Sequence, residues 1–144
     1  MSDLEKVLLT SSLTVLTGTA IYLISKIVID TILEQRKVLG EILSAIINYT
    51  IICMATERVT EAWRHEASQK MLILSKELVS RTLMIPCYSF FEKLRAVSRK
   101  SAIMDAAQEL YVLADLFLHS PIDSERAFQS FNKIKILLKI KYEF

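Results

Sequence analysis

Residues 7–25, VLLTSSLTVLTGTAIYLIS, run for nineteen positions without a charge. At about 1.5 Å of rise per residue, such a helix covers close to 30 Å, the thickness of a bilayer's hydrocarbon core. Lys26 interrupts the run, Ile27, Val28 and Ile29 extend it by nearly a turn, and Asp30 closes it. A lysine stem can lie on apolar surface while its ammonium reaches the headgroups, so Lys26 does not end a span. The run predicts a transmembrane helix. A cleaved signal peptide agrees less well, because MSDLEK sets Asp3 and Glu5 against Lys6 and no small-residue cleavage site follows. The competing reading is a core helix of a soluble protein. Lys6 alone precedes the run, whereas Lys26, Arg36 and Lys37 follow it. The positive-inside rule then puts the N-terminus outside and the rest of the chain in the cytoplasm, with the free amino group opposing that bias.

Of 144 residues only 2 are Gly and 2 are Pro, while 52% are apolar and 24% charged. So few breakers exclude a turn-rich β protein or a disordered chain and predict long helices. The net charge of +2 excludes neither membrane nor nucleic-acid contacts, since local patches matter more than the total. Cys53 and Cys87 make neither a metal-site spacing nor a disulfide scaffold, and read as buried or membrane-near thiols of a reducing compartment.

The span is amphipathic in an unusual way. At 100° per residue, Thr10, Ser11, Thr14, Thr17, Gly18 and Ser25 fall in an arc of about 120°, with Val7, Ile21 and Tyr22. The opposite arc holds the leucines, with Ser12 and Thr19 as exceptions. A lone anchor has no need to segregate its hydroxyls. Small hydroxylated residues let helices approach and bond across a seam. They also suit the wall of a narrow pore, where hydroxyls replace water around an ion. One span cannot enclose a pore, so that reading requires a ring of subunits. The plainest reading is that each hydroxyl bonds back to its own helix. The residues that would form the pore or seam are Thr10, Thr14, Thr17, Gly18, Ile21 and Ser25.

Beyond the span the chain reads as a helical bundle. No Gly or Pro separates the span from the next segment, whose apolar positions Ile32, Leu39, Leu43, Ile46, Ile47 and Thr50 follow three- and four-residue steps. One long helix is therefore expected to run to residues 50–56, with Gly40 allowing another helix to approach closely. A second helix is expected over about 60–83, buried along Ala62, Trp63, Ala67, Met71, Leu74, Leu78 and Thr82, with a Glu77–Arg81 pair on its surface. Pro86 ends it and starts a short helix over 87–96. A further helix over about 101–119 buries Ile103, Ala106, Ala107, Leu110, Leu113, Ala114 and Phe117. After Ser120 and Pro121, Asp123 is expected to cap a last helix over 124–142.

Catalytic signatures are missing. There is no phosphate-binding glycine loop, no GxSxG and no zinc spacing; His65-Glu66 begins like HExxH, but position 69 is Gln. His65 and His119 read as solvent-facing or hydrogen-bonded structural residues, and no isolated carboxylate pair suggests acid–base work. Two basic clusters remain. Lys93, Arg95, Arg99 and Lys100 surround a helix–helix junction, just before a helix N-terminus whose N–H groups and dipole favour an anion. With Ser98 and Ser101 as extra donors, this is the candidate site for a nucleotide, an oligonucleotide or a lipid headgroup, set against a solvated charged turn. Lys133, Lys135, Lys139 and Lys141 alternate with apolar residues near the C-terminus, as on a membrane-surface helix or on the wet side of a bundle helix.

Three stretches, LGEILSAIINYTI, ASQKMLILSKELVSRTLMIPCY and AAQELYVLADLF, together resemble small bacterial membrane proteins with one N-terminal span and a cytoplasmic helical domain. The likeness covers roughly residues 20–118 and consists of packing patterns, so it carries over no catalytic residue. Some proteins of that architecture are membrane effectors of anti-phage defence, in which a nucleotide or oligonucleotide controls an oligomeric channel. The resemblance implies that role here.

The expectation is an all-α chain: an N-terminal transmembrane segment over 1–29 continuing into a cytoplasmic four- to five-helix bundle over 30–144. It would sit in a bacterial inner membrane as a homo-oligomer, forming an ion-conducting pore gated through its helical domain. The alternative is a membrane-tethered helical adaptor or sensor without a pore. Neither reading requires a catalytic residue, metal or cofactor. The implied partners are membrane lipid, further copies of the chain, and a nucleotide, oligonucleotide or partner protein.

Overall fold

The computed structural model describes residues 3–54, 60–119 and 122–138. Five helices make up the fold: α1 (Asp3–Met54), α2 (Glu61–Met84), α3 (Tyr88–Lys93), α4 (Lys100–Leu118) and α5 (Ser124–Leu137). The described residues contain no strand.

Helix α1 has 52 residues and is about 78 Å long. It passes residues 29 and 30 without a break. Its described residues up to Ile27 are exposed on every side, and only beyond that point does one face become covered. By length and composition this is the one helix of the described residues able to cross a membrane.

The remaining helices bury a common core against the second half of α1. Helices α2 and α4 form its centre, with Ala67, Met71, Leu74 and Leu78 against Ile103, Ala106, Leu110 and Leu113. Each of these sits at a three- or four-residue step, as the periodicity predicted. Ala62 departs from the predicted stripe and is exposed, and Trp63 is half-buried. Helix α5 adds Ala127, Phe131 and Ile134. Far from the free half of α1, Tyr49, Trp63, Phe117 and Phe131 close the core as an aromatic chain; Tyr49 and Trp63 meet edge-on with ring centroids 5.4 Å apart.

The buried stripe of α1 is turned one position from the predicted one. Val38, Ile42, Ala45 and Ile46 are buried, whereas Leu39 and Leu43 are half-buried and Ile47 is exposed. A polar residue sets this rotation. Gln35 lies inside the interface and donates from Nε2 to Thr82 Oγ1 at 2.8 Å, which a hydrophobic pattern cannot register. Gly40 is exposed, and a Cβ there would meet nothing within 4 Å, so it is not a point of close helix approach within the chain.

Caps and breakers behave as local chemistry requires. Thr60 accepts from the Trp63 amide at 3.3 Å and Asp123 from the Arg126 amide at 3.0 Å, each closing a helix N-terminus. Helix α2 stops at Met84 because Pro86 follows its cap, Ile85. Arg81 does not pair with Glu77; it reaches across to Glu34 of α1. The Glu34–Arg81 and Gln35–Thr82 contacts at one end, and Tyr49–Trp63 at the other, make α1 and α2 antiparallel. The α2–α3 corner therefore lies at the end of the bundle from which the free half of α1 emerges.

Candidate functional site

Helix α3 and the segment after it build a polar joint against α1. The Arg95 amide donates to Glu92 O and the Ala96 amide to Phe91 O, both at 3.0 Å, the paired bonds of a Schellman helix end. The left-handed position in that motif is usually glycine; here it is Arg95, with φ 57°. A side chain there costs about 1–2 kcal/mol. Cys87, which precedes α3, has φ 50°, and the non-glycine residues with positive φ among those described are these two, one at each end of α3. Backbone strain is thus confined to this corner.

Three contacts fasten the joint. Arg36 Nη2 donates to Ala96 O at 3.1 Å, and Tyr88 Oη donates to Ser98 O at 2.6 Å. Gln35 Nε2 also approaches Tyr88 Oη at 3.5 Å. Burial pushes the Tyr88 hydroxyl's pKa upward and the Glu92 charge adds to this, against the Gln35 hydrogen bond.

A cleft of about 740 Å³ opens at this joint, lined by Gln35, Arg36, Glu92, Lys93, Arg95 and Arg99 among others. Three of the four basic residues predicted from sequence come together here. Lys100 does not line the cleft; its amide donates to Glu92 Oε2 at 3.2 Å. That bond corrects the expectation of open amides at the α4 N-terminus, because the chain's own carboxylate occupies part of the place assigned to a bound anion. Ser98 enters the network through its carbonyl, and Ser101 lies outside the lining. Arg36 was read only as a flanking charge, and no local signal marks it, since its place depends on α3 folding back onto α1. Four cations against one carboxylate, Arg36, Lys93, Arg95 and Arg99 against Glu92, give the cleft lining a net positive charge.

The hydroxylated face of α1 is exposed at Thr10, Thr14, Thr17, Gly18, Ile21 and Ser25. Thr14 donates to Thr10 O at 2.8 Å, Thr17 to Leu13 O at 2.7 Å and Ser11 to Leu8 O at 3.0 Å; Thr10 bonds back to Lys6 O. Ser12 and Thr19, on the opposite side, do the same. Those hydroxyl protons are used within the helix, leaving oxygen lone pairs facing outward. A Cβ at Gly18 would meet nothing within 4 Å.

The remaining candidates resolve more simply. Lys133 pairs with Glu109 of α4, which raises the lysine pKa, while Lys139 and Lys141 fall outside the described residues. His65 and His119 are exposed, and His119 Nε2 lies 3.5 Å from Asp115. Cys87 is exposed rather than buried; Cys53 is half-buried, which pushes its thiol pKa upward. Among the described residues no group of three or more His, Cys, Asp or Glu is placed to hold a metal ion. Comparisons with protein-family models, curated proteins and solved structures give no match.

Proposed function

We propose that this chain is a single-pass membrane protein without enzymatic activity, in which one unbroken helix holds a cytoplasmic helical domain at the bilayer and relays changes between the two. The observation that carries this reading is the contrast within α1. Its first part is apolar, long enough to cross the membrane and covered by none of the described residues, whereas its second part is a core element of the bundle. A helix without a hinge transmits tilt or rotation along its length, and the polar joint at Gln35 and Arg36 is where the domain grips it. Basic residues after the apolar run favour a cytoplasmic bundle on the inner face of a bacterial membrane. In this reading the full chain stays in the membrane pellet after alkaline carbonate and leaves it only with detergent. Release by carbonate would return the chain to the soluble class.

The segregated hydroxyl face favours a second reading, a homo-oligomer whose spans meet around an axis. The outward lone pairs of Thr10, Thr14 and Thr17 would line an ion path, and the bundles would gate it. As a defence effector, such a ring would stop growth by ion leakage. Planar-bilayer recordings of the purified protein beside a variant carrying Leu at those three positions test this. Discrete currents altered by the substitutions support the pore, and silence from a protein shown to be monomeric removes it.

A further inference from the structure

We infer that the α2–α3 corner and the basic cleft form a docking surface for the anionic headgroups of the bilayer that α1 enters. The inference rests on α1 being a span and names the phosphate-bearing ligand of the cleft as membrane lipid.

Position comes first. Glu34 meets Arg81 and Gln35 meets Thr82, so continuing the antiparallel register sets Met84 level with residues 32–33 of α1, and the turn after it closer still to Asp30. The apolar run ends at Ile29. Four residues of helix cover about 6 Å, and the headgroup layer is roughly 5–8 Å deep on each side of the hydrocarbon. The corner therefore falls within that layer, and the cleft, lined at Gln35, Arg36 and Leu39, lies about 9–15 Å from Ile29 along α1, just to its water side and within reach of the surface potential.

Composition agrees with position. Leu83 is 61% exposed, Met84 58%, Phe90 58% and Leu94 61%, all on or beside the corner and outside the core. Exposed leucine, methionine and phenylalanine are unfavourable in water and lower their free energy at a bilayer interface. Lys93, Arg95 and Arg99, with Arg36 behind them, supply the positive charge that attracts an anionic leaflet. Left-handed backbone at Cys87 and Arg95 turns the chain at each end of the short α3, where apolar and basic residues are brought together.

The exposed Cys87 and the half-buried Cys53 provide native reporters at opposite ends of the bundle. The full chain, as Cys53→Ser, is labelled at Cys87 with an environment-sensitive fluorophore in phosphatidylcholine–phosphatidylglycerol vesicles containing headgroup-spin-labelled lipid. The Cys87→Ser protein labelled at Cys53 is the distant control. Quenching at Cys87 is expected to exceed that at Cys53 several-fold. It should fall about twofold or more when Lys93, Arg95 and Arg99 are changed to Glu, or when phosphatidylglycerol is omitted, and a signal unchanged by both would overturn docking to anionic headgroups. A third protein, Thr17→Cys without the native cysteines, carries the label inside the apolar run and is read with acyl-chain-labelled lipid. Quenching there without quenching at Cys87 overturns the docking surface and leaves the span standing. No quenching at either place overturns both. Loss of the Cys87 signal on adding a free nucleotide would assign the cleft to a soluble ligand and overturn the inference as well.

Discussion

The two halves of α1 have similar shares of Leu, Ile and Val and different surroundings. From Asp3 to Ile27 none of the described residues covers the helix, and no charge appears over residues 7–25. From Gln35 to Ile46 one face is buried at 35, 38, 42, 45 and 46, while Arg36, Lys37 and Glu41 lie off that face. Interspersed charge marks the water side of a core helix, whereas its absence all round marks a helix with no water side. Continuous backbone through both regions makes the difference one of surroundings and not of fold.

The sharpest way to break this comparison is one substitution placed in each half. Ile42→Asp buries an unpaired carboxylate in the core and is expected to unfold the bundle, at a cost above about 4 kcal/mol. Leu16→Asp should leave the bundle's melting temperature unchanged and weaken membrane insertion by about 3–4 kcal/mol. Circular-dichroism melts in detergent and the carbonate-resistant fraction measure the two effects. Equal loss of bundle stability from both would show that the first half of α1 is also a core element.

Within the bundle, the two ends differ in the same instructive way. Phe117, fully buried and packed on Tyr49, Trp63 and Phe131, is expected to cost about 3–5 kcal/mol on change to Ala. At the joint, Thr82→Val removes the nearer acceptor of the buried Gln35 amide, leaving Tyr88 Oη at 3.5 Å, and should cost about 1–3 kcal/mol. Most of that should return in the Gln35→Leu/Thr82→Val double variant, because no polar group is then stranded. Denaturant melts of the four proteins form the test, and additive losses would show that the pair is not an interacting unit.

Smaller effects concern the strained corner. Arg95→Gly relieves a left-handed side chain and should stabilise the bundle by about 1 kcal/mol while removing one cation from the cleft. A lower melting temperature would mean that the arginine side chain contributes more than its backbone costs. The smallest effect is on pH dependence. Tyr88's folded pKa is raised above the ordinary tyrosine value, so its contribution is complete below pH 10 and is lost as pH rises through the folded value. Tyr49 is raised too, by burial first and Glu66 second. Melting temperature should fall on the alkaline side of pH 10, and Tyr88→Phe should shallow that fall.

Much of this architecture was legible because local rules suffice for it. Pro86, Thr60 and Asp123 set helix limits through chemistry confined to a few neighbouring residues. The stripes of α2 and α4 followed from spacing, since their buried positions are mostly apolar; the small polar Ser68 and Ser75 escaped notice, the latter donating to Ala107 O at 2.7 Å. The α1 stripe was misplaced by one position because its deepest polar member, Gln35, is matched by Thr82, 47 residues away. Arg81 found Glu34 instead of Glu77 for the same reason: sequence shows neighbours along a helix and not partners across helices. At the cleft, the basic run was visible, but Arg36 depends on the fold bringing α1 to the segment after α3, and the capping by Glu92 on the turn that sets α3 against the start of α4.

One measurement reads the central claim along the whole of α1. Single spin labels placed from residue 4 to residue 51, in a protein lacking Cys53 and Cys87, report oxygen accessibility in vesicles. The account predicts high, lipid-like accessibility at every position over 7–29, giving way to a 3.6-residue oscillation with minima near 35, 38, 42 and 45–46. Low oxygen accessibility on the leucine face as well, at Leu9, Leu13, Leu16 and Leu23, would contradict the span and place the first half of α1 in a protein core.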